Sequence, residues 1–168
     1  ITNYGTITIN GTVQRPVVFM PVSTNQPWGG FFLPASSSVI QATGTLFTHS
    51  GALQTGFAGH HHEQCLFYCN NSPQVTLTDC AAIYLKGQMG HAFNGGTFTF
   101  TRFLLQRATT GGEYTGASFR VNDSAFIEFP DGTADFIDND NDAIYLVSGT
   151  HGFTNTLIGW TKDDGVDS

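Results

Sequence analysis

Charged side chains are scarce in this chain, and basic ones most of all. Charged residues make up 11% of the 168 residues, with six Lys and Arg against thirteen Asp and Glu, for a formal net charge of −7. The basic residues are isolated from one another, so the clustered positive field that a phosphate backbone requires is missing. We therefore exclude nucleic acid as the main partner.

Long apolar runs and helical periodicity are missing as well. No run approaches the roughly 20 apolar residues that cross a bilayer, so we expect no membrane insertion. No segment repeats its apolar residues with a period of about 3.6 positions, which argues against helices. There is no internal repeat and no linker, and a chain of this length fits one domain.

The sequence contains no clear enzyme signature. Gln64, Cys65 and Leu66 follow His62-Glu63, so the second zinc-binding histidine of a His-Glu-x-x-His helix is missing. The chain has no Gly-x-Ser-x-Gly elbow, no phosphate loop and no dinucleotide fingerprint. Glu113 and Glu128 could serve as a glycosidase pair, but any β protein offers such pairs. We predict a protein that is not an enzyme, with a secreted hydrolase kept as an alternative.

Cysteine is too scarce for a disulfide framework. The three residues are Cys65, Cys69 and Cys80, and their odd number leaves two readings open. One is a Cys69–Cys80 bridge with one free thiol, and the other is three reduced thiols.

Strand signals dominate what is present. Short runs rich in Thr, Val, Ile and Phe alternate with Gly, Asn, Asp and Pro, and Asn10-Gly11 and Asn122-Asp123 are typical of hairpin turns. This pattern predicts an all-β fold, an antiparallel β-sandwich or jelly roll with long loops, over residues 1–161. Residues 162–168 are expected to form an acidic tail.

An acid ladder at Asp138, Asp140 and Asp142 predicts a cation site. In an extended segment these three carboxylates share one face and repel one another unless a cation separates them, and calcium is the natural candidate. The alternative is a polar turn that keeps a sheet edge soluble.

A second metal hypothesis rests on His60 and His62, which point the same way in an extended segment, as a transition-metal pair needs. In a homotrimer the pair would supply six nitrogens around a three-fold axis. That arrangement resembles the iron-binding tips of some phage tail fibres. The alternative is a set of solvated loop histidines.

Trp28 stands beside Gly29 and Gly30 in a predicted loop and is the candidate for stacking on a ligand. His91 and His151 also lie in predicted loops and are candidate ligand-binding residues. Loops on a rigid β scaffold are where recognition surfaces are usually built.

Residues 96–160 contain short motifs in a characteristic order. They are Gly96-Thr97-Phe98-Thr99-Phe100, then 117–122 ending in Val121-Asn122, then Asp142-Ala143-Ile144-Tyr145-Leu146, and last Phe153-Thr154-Asn155. This order resembles the trimeric jelly-roll heads of the complement-type and tumour-necrosis-factor-like families, as also seen in viral and phage fibres. The resemblance implies a C-terminal recognition head.

These observations together predict a receptor- or glycan-binding head on an extracellular or virion surface, assisted by calcium and assembled as a homotrimer. Its partner would be a cell-surface glycan or a protein receptor. A structural shell or spike subunit is the alternative, and it would bury a large apolar area between copies.

Overall fold

The residues that the structure describes form β-strands and connecting segments and no helix, which confirms the all-β prediction. A computed structural model describes residues 1–51, 65–129 and 142–168, and the following bounds concern those residues. The strands are β1 Thr6–Asn10, β2 Val17–Phe19, β3 Phe31–Leu33, β4 Val39–Thr43, β5 Thr45–Thr48, β6 Cys65–Cys69, β7 Gln74–Ile83, β8 Gln88–Ala92, β9 Thr97–Gln106, β10 Glu113–Tyr114, β11 Ala117–Asn122, β12 Ala125–Ile127, β13 Ile144–Leu146, β14 Gly149–Thr154, β15 Leu157–Gly159 and β16 Val166–Asp167.

The strands wind into a solenoid in which each turn of chain stacks on the one before. Thr6 lies beside Val39, Val39 beside Gln74, Gln74 beside Thr97, and Thr97 beside Ser118. One turn therefore takes between 21 residues, from Thr97 to Ser118, and 35 residues, from Val39 to Gln74. We number these turns as coils 1 to 6: β1–β3, β4–β6, β7–β8, β9–β10, β11–β13 and β14–β16.

The predicted antiparallel sandwich or jelly roll is wrong, because the strand pairs of the described residues are all parallel. The expected hairpins are corners instead. Gly11 donates its N–H to the carbonyl of Thr43 in the next coil, at 2.8 Å, and Asp123 donates to Thr154, at 2.9 Å. Because these bonds lead to the next coil, each turn moves the chain onward around the solenoid and does not fold it back.

The solenoid has three faces, each made of one strip of strands. The first strip contains β1, β4, residues 74–78, residues 97–101, β11 and β14. The second contains β2, β5, residues 80–83, residues 103–106, β12 and β15. The long strands β7 and β9 run through both strips and join them into one ten-stranded sheet, while β3, β6, β8, β10, β13 and β16 form the third strip as a separate sheet.

The interior is filled by stacked aromatic and aliphatic side chains. Phe100 is fully buried, and its ring centroid lies 5.2 Å from that of Phe103 and 5.4 Å from that of Phe119. Alternation along β9 turns Phe98 and Phe100 inward and leaves Thr97, Thr99 and Thr101 facing out. Truncating a buried Phe of this kind typically costs about 3–5 kcal/mol, so these rings carry much of the stability.

A left-handed residue marks the corner between the first and second strips in five successive coils. The residues are Gly44, Asp79, Arg102, Asp123 and Asn155, with φ between 47° and 54°. Gly, Asn and Asp tolerate this conformation better than other residues. We call this column the first corner.

The second strip ends at another left-handed column, the second corner. It contains His49, Tyr84, Arg107, Glu128 and Trp160, with φ between 53° and 58°. Side-chain contacts along the column connect neighbouring coils: Arg107 lies over the Tyr84 ring at 5.5 Å and donates to Glu128 at 2.8 Å.

Part of the expected acidic tail belongs to the solenoid. Residues Val166–Asp167 form β16, which lies parallel to Ile144 and Tyr145 of the third strip. The described part of the chain contains no helix that could span a membrane.

Candidate functional site

One row of side chains crosses the outer side of the third strip, one residue per coil. Register pairs connect Phe32 to Tyr68, Tyr68 to His91, His91 to Glu113, and Glu113 to Tyr145. Neighbouring strands lie roughly 4.8 Å apart, so consecutive members of this row are in reach of one another. We call it the aromatic–acid row.

His91 lies at the centre of the row. Only 3% of this residue is exposed, and its Nδ1 atom lies 3.9 Å from Oε2 of Glu113. Its ring meets Phe93 edge to face, with the centroids 4.3 Å apart. The glutamate side chain remains 15% exposed, although its Oε2 atom, which faces His91, is buried.

Aromatic rings continue the row towards the N-terminal coils. Phe32 and Tyr68 stack with their centroids 4.9 Å apart and their planes 17° from parallel. Burial, reinforced by Cys65 and Cys69, raises the pKa of the Tyr68 phenol to about 12. The phenol therefore stays protonated near neutral pH and keeps its O–H as a hydrogen-bond donor.

This combination has the chemistry of a binding site for a polyhydroxylated ligand. Apolar ring faces can pack against sugar C–H groups, and the imidazole and carboxylate can exchange hydrogen bonds with hydroxyls. Tyr68 and His91 are buried, whereas Phe32 and Tyr145 of the row and the adjacent Phe93 are half-buried and are the rings that a ligand would meet first.

Trp28 was predicted to be a ligand platform, and it lies away from this row. Its indole N–H donates to the carbonyl of Thr48 at 2.9 Å. Its ring stacks on Phe19 at 5.7 Å and meets Phe31 edge to face at 5.6 Å. Through these contacts Trp28 packs at the edge of the core.

His151, the third predicted ligand residue, belongs to the last coil. It lies beside Phe119 in register, and therefore on the inner side of β14. Its Nδ1 atom is buried and has no hydrogen-bond partner among the described residues. The structure thus brings only His91, of the three predicted ligand residues, into the aromatic–acid row.

The metal hypotheses fall mostly outside the described residues. His60, His62, Asp138 and Asp140 lie there. Asp142 is described: it is buried, and one carboxylate oxygen accepts the N–H of Asp164 at 3.0 Å. Within residues 1–51, 65–129 and 142–168, no group of three His, Cys, Asp or Glu side chains is placed to hold a metal ion.

The three cysteines are free thiols, so the alternative with a Cys69–Cys80 bridge does not hold. All three are buried, and burial raises the pKa of the Cys69 and Cys80 thiols above the ordinary value. A raised pKa keeps a thiol protonated and poorly nucleophilic, which is typical of structural cysteines.

Sequence reasoning missed the row as a unit. No motif marks Tyr68 or Phe32, and the sequence suggests Glu113 only as a possible partner for Glu128. The members are separated by 36, 23, 22 and 32 positions along the chain. The stacking of coils brings these residues together. Because the coils differ in length, the sequence does not show where each coil begins.

Comparison of the chain with protein-family models, curated proteins and solved structures found no match.

Proposed function

We propose that this solenoid is a non-enzymatic binding domain that recognises a cell-surface glycan, or a protein receptor, through the aromatic–acid row. Its setting would be an extracellular or virion surface. The observation that carries the proposal is the His91–Glu113 pair, 3.9 Å apart between Nδ1 and Oε2, at the centre of a row of aromatic rings.

The position of the row supports binding over a purely structural role. A face needed only for packing would bury apolar side chains, because a buried carboxylate or imidazole loses hydration that a hydrocarbon does not need. Here Glu113 and His91 occupy adjacent register positions on the outer side of the sheet. Affinity would come from a few aromatic contacts and from hydrogen bonds whose directions are fixed by the strands.

A glycan array, followed by calorimetric titration of any hit, tests this proposal. Glu113→Gln keeps the shape of the side chain and removes its charge, and we expect it to weaken binding about 10-fold or more. Glu128→Gln is the matched control, since that carboxylate lies on the second corner, and it should leave the affinity unchanged. Equal affinity for wild type and Glu113→Gln would contradict the proposed site.

Running the array with calcium and with a chelator adds the test of calcium assistance. Loss of binding in the chelator is expected if Asp138, Asp140 and Asp142 hold the ion. Binding that is the same in both conditions would remove calcium from the proposal while leaving the aromatic–acid row in it.

A structural shell or spike subunit is a second candidate, and one observation favours it. One column of outward side chains on the second strip, from Val18 to Leu157, is apolar from the first coil to the last. If no glycan on the array binds and the chain assembles through that strip, this second candidate is favoured.

A further inference from the structure

The outer side of the second strip presents an uninterrupted apolar column. One residue from each coil contributes, and each is in register with the next. The residues are Val18, Leu46, Ala81, Leu104, Ala125 and Leu157. The terminal members Val18 and Leu157 are 44% and 53% exposed, and the four between them are half-buried. We call this column the apolar stripe.

The first strip shows that an outward position does not have to be apolar in this fold. Its central outward residues include Thr76, Thr78, Thr99 and Thr101, all at least partly exposed. Leaving a continuous apolar column in water is unfavourable at roughly 25 cal/mol per Å². Such a surface usually marks an interaction site.

The surface of the stripe is uneven, because large and small residues alternate along it. Leu46 is followed by Ala81, Leu104 by Ala125, and Ala125 by Leu157. Two shallow hollows lie between the stripe and the first corner: one of about 600 Å³ is lined by Leu104, Ala125 and Leu157 together with the corner residues Arg102, Asp123 and Asn155. The other, of about 290 Å³, is lined by Leu46 and Ala81.

We propose that the apolar stripe binds a second copy of this chain in a two-fold dimer, with the axis parallel to the strands and passing between coils 3 and 4. Such an axis places coil 3 of one copy opposite coil 4 of the other, and coil 2 opposite coil 5. It follows that Leu104 faces Ala81, and Leu46 faces Ala125. Each leucine then packs against an alanine of the other copy, as close packing between two sheets requires.

The charges that border the stripe agree with the same axis. On the first corner, Asp79 of one copy faces Arg102 of the other. These two residues already form a bidentate pair within one chain, with nitrogen–oxygen distances of 2.5 and 2.8 Å. Two such pairs meeting across the axis would form a network of alternating charge.

The second corner is complementary in the same arrangement. Arg107 faces Tyr84, which repeats between copies the contact at 5.5 Å that they make within one chain. His49 faces Glu128, which offers an acceptor to the imidazole.

The other simple two-fold arrangement fits neither the packing of large against small residues nor the charges at the corners. An axis along the solenoid would place each coil opposite the same coil of the partner, so that Leu104 meets Leu104. It would also bring the first corner of one copy against the second corner of the other. Arg102 would then face Arg107, and Asp123 would face Glu128, which are repulsive pairs of like charge.

The face is small, so the dimer should be weak. Five coil spacings and the width of the strip give a contact of about 24 by 20 Å, below the roughly 800 Å² per partner of a standard interface. We expect a dissociation constant in the micromolar range, and therefore dimers near about 100 µM that separate on dilution.

Sedimentation equilibrium over about 1 to 500 µM tests the assembly. Wild type should pass from monomer to dimer, and Leu104→Asp should remain monomeric because it buries a charge in the interface. Thr99→Asp lies in the same coil on the outer side of the first strip and should dimerise like wild type. A wild type that is monomeric throughout, or trimeric, or a Leu104→Asp variant that still dimerises with native circular dichroism, would overturn the proposal.

Cysteine cross-linking tests the axis itself. The double variant Leu46→Cys with Ala125→Cys should form a covalent dimer on mild oxidation, since the two positions face each other across the axis. Leu46→Cys alone should remain uncross-linked, because its own counterpart lies three coils away. If Leu46→Cys alone forms a covalent dimer rapidly, and the double variant forms no more than the single one, this axis is excluded.

Discussion

At the scale of single residues, Asp79 and Arg102 show how a demanding backbone position is stabilised by a side-chain pair. Arg102 adopts φ of 49°, a conformation that costs most L-residues roughly 1–2 kcal/mol. Its guanidinium forms a bidentate pair with Asp79, one coil earlier on the same corner. The sequence gives no indication of this pair, since the residues are 23 positions apart and both are isolated charges.

The corner ion pairs predict a loss of stability in acid. The hydrogen bond from Arg102 lowers the pKa of Asp79, and the hydrogen bond from Arg107 lowers that of Glu128. Because the folded-state pKa lies below the ordinary carboxyl value, this stabilisation is present above that ordinary value. It is lost as pH falls through the folded-state pKa.

Melting temperatures measured between about pH 6 and pH 2 check this. The double variant Asp79→Asn with Glu128→Gln should show a shallower fall below about pH 4 than wild type. The difference should be small, since both pairs are exposed to solvent and screened by salt. Parallel curves for the two proteins would show that the pairs contribute nothing to acid sensitivity.

At the scale of elements, the sequence predicts where strands occur better than how they pair. Short runs rich in Thr, Val, Ile and Phe, from which strands are predicted, form β9 and β11. Alternation of apolar and polar residues is the same in parallel and antiparallel sheets when one side faces water. Turn residues such as Asn122-Asp123 therefore predict hairpins, although they form corners of a solenoid.

The left-handed corners give a test of this element. Asp123 has φ of 51°, and its Oδ1 atom accepts a hydrogen bond from Asn155 at 3.0 Å. Asp123→Gly and Asp123→Val both remove that hydrogen bond, but only valine clashes in this conformation. We expect the valine variant to be less stable than the glycine variant by about 1–2 kcal/mol, measured by chemical denaturation. Equal stabilities would mean that this corner is not held in the left-handed region.

At the scale of the whole molecule, the all-β class can be predicted from the sequence, but the solenoid cannot, because its coils differ in length. The all-β class follows from composition and alternation, because short Thr- and Phe-rich runs between turn residues favour little else. A solenoid is usually recognised by a fixed period. Here the step from Val39 to Gln74 is 35 residues and the step from Thr97 to Ser118 is 21, so no period exists to be found.

The same irregularity limits prediction of the candidate site. His91 was identified as a ligand residue from its type and its neighbouring glycine, without reference to Glu113 or Tyr68. The row that surrounds it exists only because coils 2, 3 and 4 place these residues at one register position. The apolar stripe was hidden for the same reason, since its members are single residues that each lie within an ordinary strand pattern.

Stacking of successive coils is the central claim, since both the aromatic–acid row and the apolar stripe depend on it. A distance between nitroxide labels at Thr6 in coil 1 and Thr150 in coil 6 tests it most directly. Both positions are exposed on the first strip and belong to one register column. Measurement in an excess of unlabelled protein isolates the distance within one chain. The solenoid predicts five strand spacings, about 24 Å between the two backbone positions, with a narrow distribution. A broad distribution, or a distance that corresponds to directly paired strands, would contradict it.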